Sequence, residues 1–87
     1  MVAQVIIGKK PILSYVTACL TTFNRGSDRV VLRARGRRIS SCVDVVNTLR
    51  RGFVTDIQIE SINIGTETIV VDNKPRNISF IEITLRR

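Results

Sequence analysis

Two short segments of this 87-residue chain place a glycine directly before two cations, Gly8–Lys10 and Gly36–Arg38. Each follows an apolar, β-branched run and precedes apolar residues at helical spacing. A helix N-terminus carries about half a positive charge and offers free backbone N–H groups, so cations are locally unfavourable there unless an anion binds. The segments therefore predict two phosphate-binding loops, whose cations are Lys9, Lys10, Arg37 and Arg38.

Other chemistries fit these residues less well. A nucleotide-binding loop needs an upstream glycine at fixed spacing and a following Ser or Thr, and both are missing around Lys9. The chain has no His, and its seven acids occur singly, whereas a metal-dependent nuclease needs clustered carboxylates. We therefore predict no enzymatic activity, no metal and no cofactor. A solvated basic surface without a ligand remains the alternative for these loops.

Periodicity predicts the elements that hold the loops. The apolar run Val2–Ile7 predicts a buried strand. Pro11 fits the first turn of a helix whose apolar residues recur every three or four positions. A second strand starts at Val30, and a second helical face covers residues 39–53, with Phe53 on it.

After the second helix the apolar period becomes two, which is typical of strands. Apolar residues change from odd to even positions near Glu60-Ser61 and back at Phe80-Ile81. Each change would turn side chains to the wrong face of an unbroken strand, so we expect a bulge or sharp twist at both places. The result is a long twisted hairpin whose outer part, residues 66–77, leaves the body as an arm with a turn at residues 72–77.

The order of elements is therefore β-α-β-α-β-β. Right-handed crossovers place two helices on one face of a mixed four-stranded sheet, which is a two-layer α+β fold with a long C-terminal β-hairpin arm. Both connections emerge at the carboxyl ends of parallel strands, so the two basic loops become neighbours. No linker interrupts residues 1–87, which predicts a single domain.

The net charge is +7, and it is unevenly distributed. Residues 1–55 contain ten Lys and Arg against two acids, whereas residues 56–87 contain four against five. This excess favours a polyanionic partner, either nucleic acid or an acidic membrane surface. Cys19 and Cys42 occupy apolar helix positions, which predicts buried free thiols in a reducing compartment. Without a signal-peptide pattern or a membrane-length apolar run, we expect a soluble, cytoplasmic protein.

Three segments resemble the archaeal chromatin protein family Alba over essentially the whole chain: IGKKPILSYV at residues 7–16, VVLRARGRRISSCVDVV at residues 30–46 and the terminal hairpin. The resemblance implies a homodimer with a fold like the C-terminal domain of bacterial translation initiation factor three. It also implies binding to double-stranded DNA with little sequence preference, and to RNA in several members. Such a protein coats, compacts or bridges DNA in the nucleoid, without a membrane partner.

Carried over by position, the resemblance assigns nucleic-acid contacts to both loops and to the arm. Lys9 and Lys10 match the family's DNA-contacting lysines, one of which is acetylated in some members. Lys9 is the acetylation candidate, with an acetylase and a deacetylase as implied partners. The remaining assignments are Arg35 and Arg37 in the second loop, and Lys74 and Arg76 in an arm tip that resembles one laid along the minor groove.

Phe53 matches an aromatic residue at which neighbouring dimers of the family meet, which implies cooperative association on DNA. Its helical spacing equally fits a core position, and that alternative stays open. The chain departs from the family at Arg38, where a small residue is common and where an arginine should increase phosphate affinity. A dedicated RNA-binding protein, or a subunit of a ribonuclease P-like particle, is the alternative function, because backbone contacts carry no base information. A phosphate-processing enzyme is the least favoured alternative.

Overall fold

The computed structural model describes residues 2–87. Its strands and helices follow one another as β1 (Val2–Ile6), α1 (Ile12–Asn24), β2 (Arg29–Arg35), α2 (Ile39–Gly52), β3 (Gln58–Val71) and β4 (Lys74–Arg86). A short 3-10 helix, Gly36–Arg38, connects β2 to α2. The predicted β-α-β-α-β-β order is confirmed.

The strands form one mixed sheet in the order β1-β2-β4-β3. β1 and β2 are parallel, whereas β4 is antiparallel to both of its neighbours. One face of the sheet packs on both helices and contributes core residues Val30, Leu32, Ala34, Ile81, Ile83 and Leu85. We call the opposite face, which carries Arg33 and Glu82, the open face. The predicted two-layer α+β architecture is therefore confirmed.

Each helix buries one stripe of side chains spaced three or four residues apart. The stripes are Tyr15, Val16, Cys19 and Phe23 on α1, and Cys42, Val45, Val46 and Leu49 on α2. Both cysteines are free and fully buried, as predicted. Burial raises the pKa of the Cys19 thiol to about 12 and that of Cys42 to about 11. Both thiols are therefore protonated and unreactive at neutral pH.

The first strand differs from its prediction as a buried strand. β1 is an edge strand, and Val2 and Ile6 on its open face are more than half exposed. Ile7 is buried just beyond the strand, where its N–H donates to the carbonyl oxygen of Arg33 at 2.8 Å. An apolar run does not reveal whether both faces of a strand are covered, so the prediction was wrong on burial.

β3 contains the predicted bulge, because its pairing with β4 shifts register between Ile59 and Ser61. The shift puts Ile59, Ile62 and Ile64 on the helix side of the sheet, since they pair with the three buried core residues of β4. The change from odd to even positions thus keeps one apolar row on one face.

The second predicted irregularity, at Phe80-Ile81, was wrong. β4 pairs with β3 without a shift there, so Ile78 and Phe80 lie on the open face while Ile81 faces the helices. The even apolar positions of β4 therefore belong to a second, smaller apolar surface. The change of phase arises because β4 carries apolar residues on both of its faces, and the strand itself is regular at this point.

Beyond the last pair between β2 and β4, the hairpin continues alone. This arm comprises residues 66–79, two residues more than predicted. Its turn is shorter than predicted, because only Asp72 and Asn73 lie outside the strands, with φ of 53° and 60°. Two central residues with positive φ are typical of a tight hairpin turn that matches strand twist.

Candidate nucleic-acid interface

The two basic loops lie side by side at the carboxyl ends of β1 and β2, as predicted. Parallel pairing that sets Ile6 opposite Arg33 brings both loops to this edge of the sheet. A cavity of about 520 Å³ lies between them, and Gly8, Arg38 and Ile78 are among the residues that line it. The first loop, the second loop and the base of the arm thus meet around one cavity.

Tyr15 of α1 organises the first loop. Its hydroxyl oxygen accepts hydrogen bonds from the backbone N–H of Gly8 at 2.8 Å and of Lys10 at 3.1 Å. The expectation that these backbone N–H groups are free for a phosphate was therefore wrong. The side chains of Lys9 and Lys10 are both exposed and can contact an anion.

Sequence reasoning did not identify Tyr15, although a signal was present. It is the chain's single tyrosine and lies on the buried stripe of α1. A buried hydroxyl needs a polar partner, and the nearest backbone at the start of α1 is this loop. A side chain added at Gly8 would begin 3.3 Å from the Tyr15 hydroxyl, so the glycine leaves room for the contact.

The second loop is a helical turn rather than an extended segment. Gly36 has a φ of +55°, and the backbone then winds through Arg37 and Arg38 directly into α2. A Cβ at Gly36 would lie 3.1 Å from the Ile78 side chain at the base of the arm. Glycine therefore serves both the left-handed backbone and the close approach of the arm.

Most of the predicted interface cations have no acidic partner. Across residues 2–87, no carboxylate oxygen lies within 4.0 Å of the charged nitrogens of Lys9, Lys10, Arg37, Arg38, Lys74 and Arg76. Arg29 and Arg33, by contrast, are each paired with two acids. The charges of these six residues are therefore not neutralised by ion pairs within the described chain.

Arg35 differs from the other predicted contacts. Its Nη1 lies 3.9 Å from Oε2 of Glu67, which stands at the base of the arm. Oε1 of the same carboxylate pairs with Nη2 of Arg33. Sequence reasoning did not identify Glu67, because its relation to β2 depends on pairing across the sheet.

The arm carries its two cations outward from the body. Lys74 and Arg76 were predicted to lie in the turn, and this was wrong. Both lie in β4, where they pair with Val71 and Ile69. They are two positions apart in a regular strand, so they share one face of the arm. Both are exposed.

Phe53 lies away from the loops, at the opposite end of α2. The helix ends at Gly52, and the Phe53 side chain is 53% exposed. The alternative that Phe53 belongs to the core was therefore wrong, and the buried residue is its neighbour Val54. A helix of 14 residues separates Phe53 from the second loop by about 20 Å.

Within residues 2–87, no three His, Cys, Asp or Glu side chains are grouped as a metal ion would require. None of the helices in that range is both long and apolar enough to cross a membrane.

Comparison with known proteins identifies close relatives. A family model described as Alba matches residues 3–66. "DNA/RNA-binding protein Alba" of Thermoplasma volcanium is 41% identical over 83 residues, which cover 95% of this chain and 93% of that protein. "DNA/RNA-binding protein Alba 1" of Archaeoglobus fulgidus is 43% identical over 84 residues, covering 97% of this chain and 94% of that protein.

Solved structures of Alba proteins have the same fold as this chain. "Alba from Thermoplasma volcanium" superposes with a TM-score of 0.92 at 40% identity and covers 97% of this chain and 99% of its own. ALBA1 from Trypanosoma brucei superposes with a TM-score of 0.80 over 97% of this chain and 68% of its own. At 20% identity, the second likeness shows the fold alone.

Proposed function

Because the chain belongs to the Alba family, we propose that it binds double-stranded DNA as a dimeric architectural protein, without reading base sequence, and that it also binds RNA. The archaeal relatives at 41% and 43% identity are named DNA/RNA-binding proteins. The observation that carries the proposal is the pair of adjacent loops, in which Lys9, Lys10, Arg37 and Arg38 lack acidic partners within residues 2–87. Residues 1–87 act as one nucleic-acid-binding domain.

Phosphate is the group that these loops bind. Each Lys or Arg placed on a phosphate releases condensed counterions, which is the main source of sequence-independent affinity. Arg37 and Arg38 can also donate two parallel hydrogen bonds each to phosphate oxygens. Contacts to the backbone fix the position of the protein on a duplex but carry no base information. The protein therefore coats or bridges DNA of any sequence.

The arm extends this interface along the duplex. Lys74 and Arg76 lie on one face of a narrow hairpin, and the negative potential of a minor groove attracts such cations. The two arms of a dimer would contact the groove on either side of the bodies.

An exposed apolar row supports the dimer. Ile62 and Ile64 on the edge strand β3 are 54% and 78% exposed, and they stand on the same side of the sheet as the helices. A groove of about 480 Å³, lined in part by Ile39 and Ile81, adjoins Ile64. Isoleucines in a row on an unpaired edge are costly to leave in water, and a second copy of the chain would cover them.

Two exposed residues serve regulation and assembly in this proposal. Lys9 is the acetylation site, because its acetylation would remove a phosphate-binding charge without touching the core. An acetylase and a deacetylase would then tune binding. Phe53 is the contact between neighbouring dimers, which makes binding to DNA cooperative. Its exposed ring at the far end of α2 leaves the loops free for the nucleic acid.

In this proposal the protein is cytoplasmic and associated with chromosomal DNA. It has no catalytic role. A protein devoted to RNA is the second candidate, since the relatives' names include RNA. The phosphate-binding loops serve either duplex, so only a direct comparison of ligands separates the two.

A salt-titrated competition among duplex DNA, duplex RNA and single strands tests the proposal. Six to eight phosphate contacts per dimer predict that log K falls against log salt with a slope of about −5 to −7 on B-DNA. A nearly flat slope, or a strong preference for one random duplex over another, would contradict the mechanism. Much tighter binding to RNA at every salt concentration would favour the second candidate.

A further inference from the structure

We propose that Glu67 limits the affinity of this interface by holding Arg35 away from the nucleic acid. The inference rests on the proposed function, because it concerns the same basic loops. Glu67 is the acid among the residues that line the cavity between the loops. A carboxylate at this point pairs with a cation that would otherwise bind phosphate.

Glu67 divides its two oxygens between two arginines of β2. Oε1 pairs with Arg33, and Oε2 lies 3.9 Å from Nη1 of Arg35. The Arg35 side chain is 53% exposed, whereas that of Glu67 is 33% exposed. Arg35 therefore reaches solvent at the rim of the cavity, where a phosphate would compete with Glu67 for it.

Arg33 does not depend on Glu67 for its charge partner. Its Nη1 lies 3.1 Å from Oε2 of Glu82, and its guanidinium lies 4.7 Å above the ring centroid of Phe80. With only 22% of its side chain exposed, Arg33 stays in place on the open face. Removing the charge of Glu67 thus frees Arg35 without leaving Arg33 unpaired.

The base of the arm also has a second attachment to the body. Ile78, which stands opposite Glu67, packs against Gly36 of the second loop. Glutamine at position 67 would keep the shape of the side chain and an amide oxygen that accepts from Arg33. The variant Glu67→Gln therefore changes the charge at the cavity while the arm keeps its position.

The test compares Glu67→Gln with Glu60→Gln on a mixed-sequence DNA duplex. Glu60 is a matched control, because it also pairs with an arginine, Arg29, at 2.8 Å and its neutralisation changes the net charge equally. It precedes Glu67 by seven residues of β3, roughly 20 Å away. At physiological salt this distance exceeds the screening length of about 8 Å.

We expect Glu67→Gln to bind DNA about two- to tenfold more tightly than the parent. Its salt slope should be steeper by about 0.9 for each Arg35 that gains a phosphate. Glu60→Gln should change affinity less than twofold. The gain should disappear in the Arg35→Gln background, because Glu67 acts through that arginine. Thermal melting of each variant checks that the fold is retained.

The outcomes separate this inference from the proposed function. If the parent binds with a steep salt slope but both glutamate variants gain equally, only net charge matters and the role of Glu67 is wrong. If the gain persists in the Arg35→Gln background, Glu67 does not act by holding Arg35. If the parent does not bind nucleic acid at all, the proposed function fails, and this inference fails with it.

Discussion

The inner and outer halves of the β3-β4 hairpin belong to the same two strands but serve different purposes. In the inner half, Ile81, Ile83 and Leu85 are buried beneath the helices. In the arm, every residue is exposed except Glu67, Ile69 and Ile78, which are half-buried. The body is thus held by apolar burial, whereas the arm is held mainly by its own strand pairing. The body therefore provides most of the folding stability, whereas the arm extends the protein's surface beyond the body.

At the boundary between the two halves, a glycine of β3 packs against an aromatic ring of β4. A Cβ at Gly65 would lie 2.8 Å from the ring of Phe80, so only glycine lets this ring lie across β3. The same ring lies beneath Arg33, which pairs with Glu67 of the arm. These contacts link the inner half of the hairpin to the base of the arm.

The largest expected contrast is in stability. Leu32 is fully buried under the helices, so Leu32→Ala should lower the free energy of unfolding by about 2 to 5 kcal/mol. Val70 in the arm is 71% exposed, and Val70→Ala should change the free energy of unfolding by less than about 0.5 kcal/mol. Chemical denaturation monitored by circular dichroism measures both. Equal losses would show that the arm contributes to the core.

Shortening the arm should produce the largest effect on binding. Deleting residues 68–71 and 74–77 joins the Asp72-Asn73 turn directly to Glu67 and Ile78, which already pair. Because an even number of residues leaves each strand, the turn again follows a hydrogen-bonded pair, so melting should change little. Duplex affinity should fall on the order of a hundredfold at low salt, because each protomer loses two cations.

A full-length control separates reach from charge. In Lys74→Gln combined with Arg76→Gln, the arm keeps its length, and the salt slope should decrease as much as in the shortened protein. If the shortened protein binds duplex DNA as tightly as the parent at the same salt concentration, the arm does not contact the groove.

Neutralising the first loop should have a smaller effect. Lys9→Gln removes one exposed cation per protomer, so binding should weaken roughly tenfold on all sequences and the salt slope should shrink by about one per lost contact. Arg25→Gln is the control, since Arg25 is also exposed but follows the far end of α1. Filter binding over a salt series measures both variants. A large drop in melting temperature for Lys9→Gln would instead mean that Lys9 is structural.

The smallest effect is expected at Phe53. Because this ring is exposed, Phe53→Ala should change the free energy of unfolding by less than about 1 kcal/mol and leave the affinity of an isolated dimer unchanged. Binding to long duplexes should lose its cooperativity, which titrations on short and long DNA compare. Retained cooperativity on long DNA would remove Phe53 from the contact between dimers.

Sequence alone determined the element order, the two helices, the bulge near Ser61 and the position of both glycine-led loops. These features are local, because each depends on a pattern within a short stretch of sequence. The patterns are the apolar periodicity, its change of phase and the glycine before each basic pair. The right-handed crossover rule then sufficed to make the loops neighbours.

Only the tertiary structure decided which surfaces are covered and which charges are neutralised. Val2 and Ile6 are exposed because β1 falls at the sheet edge, and Phe53 is exposed because α2 ends just before it. Glu67 and Arg35 are more than thirty residues apart in sequence, and they meet because β4 pairs with both β2 and β3. Pairing at that distance depends on how the whole chain buries its apolar surface, and no local pattern of residue types records it.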